Sequence, residues 1–215
     1  MFRFSASQMN LMRDCPRCFW LAHRKHVKRP RGIFSGLPGA IDRILQSITA
    51  THAGKSKPSW LLPDIEGIIR AGAKKMTTKD ETLKYILTGI VDDIIVTDSG
   101  NYFIIDYKTA AKPYDPEKAQ YYYGLQMDCL AYLCEANNII PVKGAYLVFF
   151  TPSSSRQPPN NNSFPFKFSI THIKLSVDIQ HAKEICAKAA KLCMQEHIPP
   201  AASDCEYCKF KDQTI

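Results

Sequence analysis

Two cysteine pairs stand near opposite ends of the chain, Cys15 and Cys18 in DCPRC and Cys205 and Cys208 in DCEYC. Two residues separate the cysteines of each pair, so both thiolates can reach one metal from one short turn. If the pairs share a site, the first and last segments of the chain must meet, and the fold is closed by a metal staple. Four thiolates suit tetrahedral Zn²⁺ or a [4Fe–4S] cluster; two unrelated reduced pairs are the alternative. The other four cysteines read differently. Cys129, Cys186 and Cys193 fall on apolar stripes of helical spacing, where cysteine behaves as a small hydrophobe, and Cys134 is grouped with them as a non-ligand.

A chain of 215 residues suits one domain with a full core. The sequence divides into a helical N-terminal part (1–75), a core (83–175), and a C-terminal helix with the second cysteine pair (176–215). Hydrophobic content of 45% with 22% charged residues is that of a globular chain. The longest apolar runs, such as Ala145–Phe150, are too short to span a bilayer. The opening MFRFSASQMN lacks the apolar stretch of a secretory signal, so a cytoplasmic location is expected. In that compartment Cys-x-x-Cys pairs are metal or redox sites rather than disulfides. A net charge of +8 favours a polyanionic partner. Arg24, Lys25, Lys28, Arg29 and Arg31 concentrate part of it, either as a phosphate-contacting patch or as a solvated turn.

Ser5 followed by Gln8 predicts a capping box opening a helix to about Asp14, and Pro16 permits a second helix start. Ile41, Ile44, Leu45 and Ile48 form a helical stripe within residues 37–48. Residues 52–60 form a polar connector, and a further short helix is expected over residues 65–73. Residues 85–97 and 102–109 are strand-like and joined by the hairpin turn Asp98-Ser99-Gly100-Asn101. A helix over 116–137, a strand over 145–151, an exposed Ser/Pro/Asn-rich loop over 152–165, a strand over 166–175 and a helix over 178–196 complete a mixed α/β plan. Tyr121, Tyr122 and Tyr123 read as helix-face packing, with stacking on the bases of a single strand as the alternative.

Asp92 lies inside an apolar strand, where ionised carboxylates are rare unless paired or metal-bound. Asp93 faces the opposite side, because strand side chains alternate. Asp106 and Lys108, two apart, share one face, and hairpin pairing would bring Asp92 toward them. Two carboxylates and a backbone carbonyl, that of Tyr107, offer hard oxygen ligands to Mg²⁺ or Mn²⁺. Such a metal would polarise a phosphodiester and activate water, with Lys108 stabilising the developing charge. The competing reading is an ion pair that merely holds the hairpin together.

The string GIVDDIIV…YFIIDYKTA resembles the core of the PD-(D/E)XK nuclease superfamily in its RecB-like, CRISPR-associated branch, with Gly89, Asp92, Asp106, Tyr107, Lys108 and Thr109 matching. SASQMNLMRDCPRCFWL resembles the first helix of that branch. The resemblance implies a restriction-endonuclease-like core, a mixed central sheet flanked by helices, with an N-terminal helical region and a metal-stapled C-terminal tail. It assigns Gln126 in YYYGLQMDCLAYL a role in positioning water or phosphate; the tyrosine usual four residues later is Leu130 here. Many active members carry a His in the next helix, where this chain has Asp42, which could bind or orient the metal. His23 and His52 are not substitutes for it. The implied activity is Mg²⁺- or Mn²⁺-dependent hydrolysis of single-stranded DNA or DNA ends, exonucleolytic rather than endonucleolytic, in repair, recombination or CRISPR-type processing beside a helicase or adaptation partner. The branch's iron–sulfur members favour a [4Fe–4S] centre over Zn²⁺, with Cys18 supplying the fourth ligand that others take from a third C-terminal cysteine. A catalytically weakened nucleic-acid-binding protein of the same fold and a zinc-stapled interaction module are the alternatives.

Overall fold

In the computed structural model, residues 1–30, 36–70, 74–153, 162, 165 and 167–213 are described; Arg31 and most of the 152–165 loop lie outside them. The first six residues already depart from the sequence reading. Phe2–Ser5 is a strand, β1, followed by a 3-10 turn over Ala6–Gln8. Ser5 is extended and its hydroxyl meets Ser7 at 3.4 Å, so it caps no helix. Phe4 decides the outcome: it is fully buried, with its ring 5.4 Å from Phe19 and 6.0 Å from Tyr85. Helices α1 (Asn10–Asp14) and α2 (Pro16–Arg24) follow, separated by Cys15 in extended backbone, with Pro16 in the first turn of α2.

Helix α3 (Leu37–Ala50) forms as its periodicity predicts but presents a different face. Leu45 and Thr49 are buried, whereas Ile44 and Ile48 are 58% and 43% exposed. Of the helix expected over 65–73, residues 65–70 form none: Ile68–Ile69 is a short strand, β2, and 71–73 lie outside the described residues. Two further strands, β3 (Lys74–Asp80) and β4 (Tyr85–Val91), pair antiparallel, and β1 lies parallel on the other side of β4. The run 85–97 is therefore two strands. Its second half, β5 (Asp93–Val96), forms the expected hairpin with β6 (Tyr102–Thr109), Ile95 opposite Phe103.

β5 and β6 belong to a five-stranded mixed sheet in the order β2-β5-β6-β7-β8. β6 runs parallel to β7 (Val142–Ser153), linked through the crossover helix α4 (Pro116–Ala136), and β8 (Lys167–Leu175) returns antiparallel. The central strands are apolar on both faces, as covered strands must be. Ile104, Leu147 and Phe149 point to one cluster with α4 and with Ala182, Cys186 and Cys193 of α5 (Ile179–Met194). Ile105, Val148 and Phe150 point to the other, with Leu45 of α3 and Leu61. Asp115 and Asp178 cap α4 and α5, accepting from the N–H groups of Lys118 at 2.8 Å and His181 at 2.9 Å. A last helix, α6 (Glu206–Gln213), carries Cys208. This is a mixed α/β sheet flanked by helices, as expected of a restriction-endonuclease-like core. Among the described residues no helix is long and apolar enough to cross a membrane.

Candidate active site

Asp92 occupies the joint where the chain leaves the three-stranded sheet for the five-stranded one. The β5–β6 ladder ends at Asp93 opposite Ile105, so the edge of β6 beyond it has no strand partner on that side. The Tyr107 N–H on that edge donates instead to Asp92 Oδ2 at 3.0 Å. A strand residue presents N–H and C=O to the same neighbour, so the Tyr107 carbonyl leaves on the edge that faces Asp92. Asp106 and Lys108, two apart on β6, turn their side chains to one face of the sheet, where they form an ion pair. Gln126, from α4, donates to Asp106 Oδ1 at 3.2 Å. Asp93 turns away as expected and accepts from the Tyr107 hydroxyl at 2.8 Å.

Helix α3 closes the site. Asp42 and Gln46 sit one turn apart on its inward face, and the Gln46 amide donates to Asp42 Oδ2 at 3.2 Å and to Asp92 Oδ1 at 3.5 Å. Asp42, Asp92, Asp106, Lys108 and Gln126 thus line one cavity of about 370 Å³, together with Lys75 and Thr88. Sequence reasoning had no signal for Gln46 beyond its position four residues after Asp42, nor for Lys75.

Electrostatically the site is short of positive charge. Burial, then the neighbouring Asp106 charge, push the Asp92 carboxyl up to about 7. Burial also raises Asp106, against the pull of Lys108. Burial opposes the Lys108 ammonium, but the Asp106 carboxylate more than offsets it and holds the lysine charged. Asp42 Oδ1 is buried without a hydrogen-bond partner, and Asp106 Oδ2 has the Lys108 ammonium as its one close contact. Hard oxygens with spare lone pairs and uncompensated charge fit Mg²⁺ or Mn²⁺. The donors able to hold such an ion are the carboxylates of Asp92 and Asp106, the Tyr107 carbonyl, and Asp42.

The two cysteine pairs meet. Cys15 Sγ lies 3.8 Å from Cys208 Sγ, and Cys18 Sγ lies 3.6 Å from both Cys205 and Cys208. All four sulfurs fall within 4.8 Å of one another and all four residues are buried. One tetrahedral ion with sulfurs at about 2.3 Å places them about 3.8 Å apart. A four-iron cube seats each thiolate on a different corner, which spreads the sulfurs further. Burial pushes the Cys15 thiol up, but backbone hydrogen bonds from Ala202 and Cys18 outweigh it and bring it to about 7. Arg29 Nη2 lies 3.4 Å from Cys205 Sγ, with its guanidinium 4.6 Å from the Tyr207 ring. Of the basic run, Lys28 and Arg29 line a groove beside the thiols, not the carboxylate cavity, and Lys25 lies over Trp20. Arg24 is exposed at the end of α2. Cys129, Cys134, Cys186 and Cys193 are buried in the main core.

The tyrosines differ from expectation. Tyr123 packs against Phe149, but Tyr121 and Tyr122 are 61% and 48% exposed. Helix α1 reaches their backbone, Asn10 donating to the Tyr122 carbonyl at 2.8 Å.

Among solved structures the chain is similar to SSO0001, at 14% identity and TM-score 0.53 over 98% of this chain and 84% of that one. A phage related exonuclease from Haemophilus somnus 129PT superposes less closely, with TM-score 0.44 and 16% identity over 96% and 83% of the two chains. At such identities the likeness concerns the fold. No curated protein matches in sequence. The model of the PD-(D/E)XK nuclease superfamily matches residues 37–213, which hold Asp42, Asp92, Asp106, Lys108 and Gln126. With more than half of its length matched, the chain belongs to the PD-(D/E)XK nuclease superfamily.

Proposed function

We propose that the protein is a Mg²⁺- or Mn²⁺-dependent deoxyribonuclease whose active site is the cavity at the β4–β5 joint. The observation that carries this reading is the convergence of Asp92, Asp106, Lys108 and Gln126 on one cavity, with Asp92 fixed by the Tyr107 N–H. Asp92, Asp106 and the Tyr107 carbonyl would hold the ion, with Asp42 as a further oxygen donor from α3. The bound ion supplies Lewis acidity at the phosphate and lowers the pKa of water. Lys108 stays protonated beside Asp106, where it orients the attacking water and offsets charge on the phosphoryl oxygens. Gln126 is a positioning residue, because it reaches the reaction through Asp106. Single strands or DNA ends as substrate, an exonucleolytic mode, a place in repair or CRISPR-type processing, and a helicase or adaptation partner rest on the resemblance to the RecB-like branch. At the thiol centre, the sulfur spacing supports one tetrahedral Zn²⁺ over a [4Fe–4S] cluster.

Cleavage of labelled single-stranded DNA with Mn²⁺ tests the activity, and Lys108→Ala should reduce it by at least about a hundredfold while the circular dichroism stays that of a folded protein. Undiminished cleavage by that variant would sink the assignment. A second reading, binding without cleavage, draws support from Gln46, whose amide reaches the two carboxylates an ion would need. It predicts tight DNA binding and no turnover in the wild type. Metal analysis and a visible spectrum of anaerobically purified protein decide the thiol centre: a brown, iron-loaded protein overturns the zinc assignment.

A further inference from the structure

We propose that Tyr114, Tyr121 and Tyr122 form a stacking path for the bases of a single DNA strand, leading to the Lys108 side of the cavity. The proposal rests on the nuclease reading and names the form of substrate it takes. Tyr114 is 39% exposed, so three tyrosine rings stand in solvent on one surface beside the opening turns of α4. Their centroids are 5.4 Å apart for Tyr114–Tyr122, tilted by 33°, and 5.1 Å for Tyr121–Tyr122, edge-on at 83°, which makes a contiguous cluster whose faces turn successively. A contiguous exposed patch of this kind is uncommon unless something covers it.

The patch has two defined ends. At one, Tyr114 approaches Tyr123 at 6.0 Å, and Lys108 Nζ lies 5.2 Å from the Tyr123 ring. At the other, the Arg13 guanidinium lies 4.4 Å from the Tyr121 ring. Both cations are already paired with neighbouring carboxylates, Lys108 with Asp106 and Arg13 with Asp14, so the ring faces carry the preference for unpaired bases. Duplex bases are already stacked on one another and offer no faces to the rings.

The platform is also held in place. Helix α1 reaches across to the backbone beneath two of the rings: Arg13 donates to the Tyr121 carbonyl at 2.5 Å, and Asn10 to the Tyr122 carbonyl at 2.8 Å. Rings on an anchored turn lose little freedom when a base settles on them. Continuity with the catalytic lysine distinguishes this patch from a protein-docking surface, which would have no need to end there.

The test is binding in Ca²⁺ buffer by fluorescence anisotropy, using an oligothymidylate and a strand of equal length whose residues lack bases. The wild type should prefer the thymidylate by about tenfold or more. Tyr121→Ala with Tyr122→Ala should remove most of that preference, and the corresponding double Phe variant should keep it, since the ring faces remain. The Phe variant also shows that the surface tolerates change without unfolding. Equal binding of both strands by the wild type, or a preference that survives the double Ala variant, overturns the proposal. Base-dependent binding without any Mn²⁺-dependent cleavage would leave the path standing and remove the nuclease reading beneath it. Cleavage without base dependence would do the reverse.

Discussion

Neighbouring carboxylates on a strand cannot serve one site, and Asp92 and Asp93 show how their work divides. Asp93 is 1% exposed and accepts from the Tyr107 hydroxyl, with the Thr49 side chain as a second partner, while its Oδ1 has none. Tyr107→Phe would leave that buried carboxyl with Thr49 alone. We expect it to cost about 1–3 kcal/mol in denaturant unfolding, with cleavage affected far less than by Lys108→Ala. Asp92 is a different case, since its value of about 7 lies well above the ordinary 3.8. Between those two values the folded chain holds a proton that the unfolded chain has lost. Without added divalent metal, stability should therefore fall as pH rises from about 4 to about 7. Thermal melts of wild type and Asp92→Asn across that range check this: the variant should show a shallower slope, and an identical slope would place the titration elsewhere. Added Mn²⁺ should stabilise the wild type more at pH 8 than at pH 5, because only the ionised carboxylate binds it.

At the scale of elements, the site depends on how β4 and α3 are seated. Gly89, three residues before Asp92, is in contact with α4; a Cβ there would come within 2.7 Å of Leu130 and Leu133 side-chain carbons. Gly89→Val should therefore lift β4 from α4, costing about 1–3 kcal/mol and displacing the joint that carries Asp92. A melt combined with a cleavage assay would register both losses, and a fully active, equally stable variant would count against this account. Helix α3 explains a misreading. Ile41, Ile44, Leu45 and Ile48 mark a stripe by period, yet the side chains it brings to the site and the core are Asp42, Leu45, Gln46 and Thr49. Hydrophobic periodicity finds the apolar side of a helix, and a helix that delivers polar groups to a site is rotated from it. The strands β1, β2 and β3 were invisible for another reason. Two are very short, and Lys74–Asp80 is a lysine- and threonine-rich edge strand, the composition that keeps sheet edges from aggregating.

Over the whole molecule, the thiol centre joins α2 to α6. Other contacts help at the same seam: Arg17 pairs with Asp212 at 3.1 Å, and the Trp20 indole donates to the Gln195 carbonyl at 3.1 Å. Binding energy at such a centre is folding energy for the segments it joins. Cys18→Ala should lose the bound metal and expose residues beyond about 196 to limited proteolysis, while the circular dichroism of the sheet core persists. A Cys18→Ala protein that retains one equivalent of metal would show that three thiolates suffice.

Four thiolates in two close pairs, an Asp inside an apolar run, Asp-x-Lys on the next strand and helices to flank them are all legible in the chain. Each of those follows from spacings of two or three residues, which fix the side of a strand or the span of a turn. The tertiary structure alone decided that Gln46 bridges Asp42 to Asp92, that the Tyr107 N–H holds Asp92, that the sulfurs gather around a volume fit for one ion, and that Tyr121 and Tyr122 stay in solvent. Those are distances between residues tens to nearly two hundred positions apart. They are set by how α3, α4 and the two sheets pack, and no local pattern encodes them.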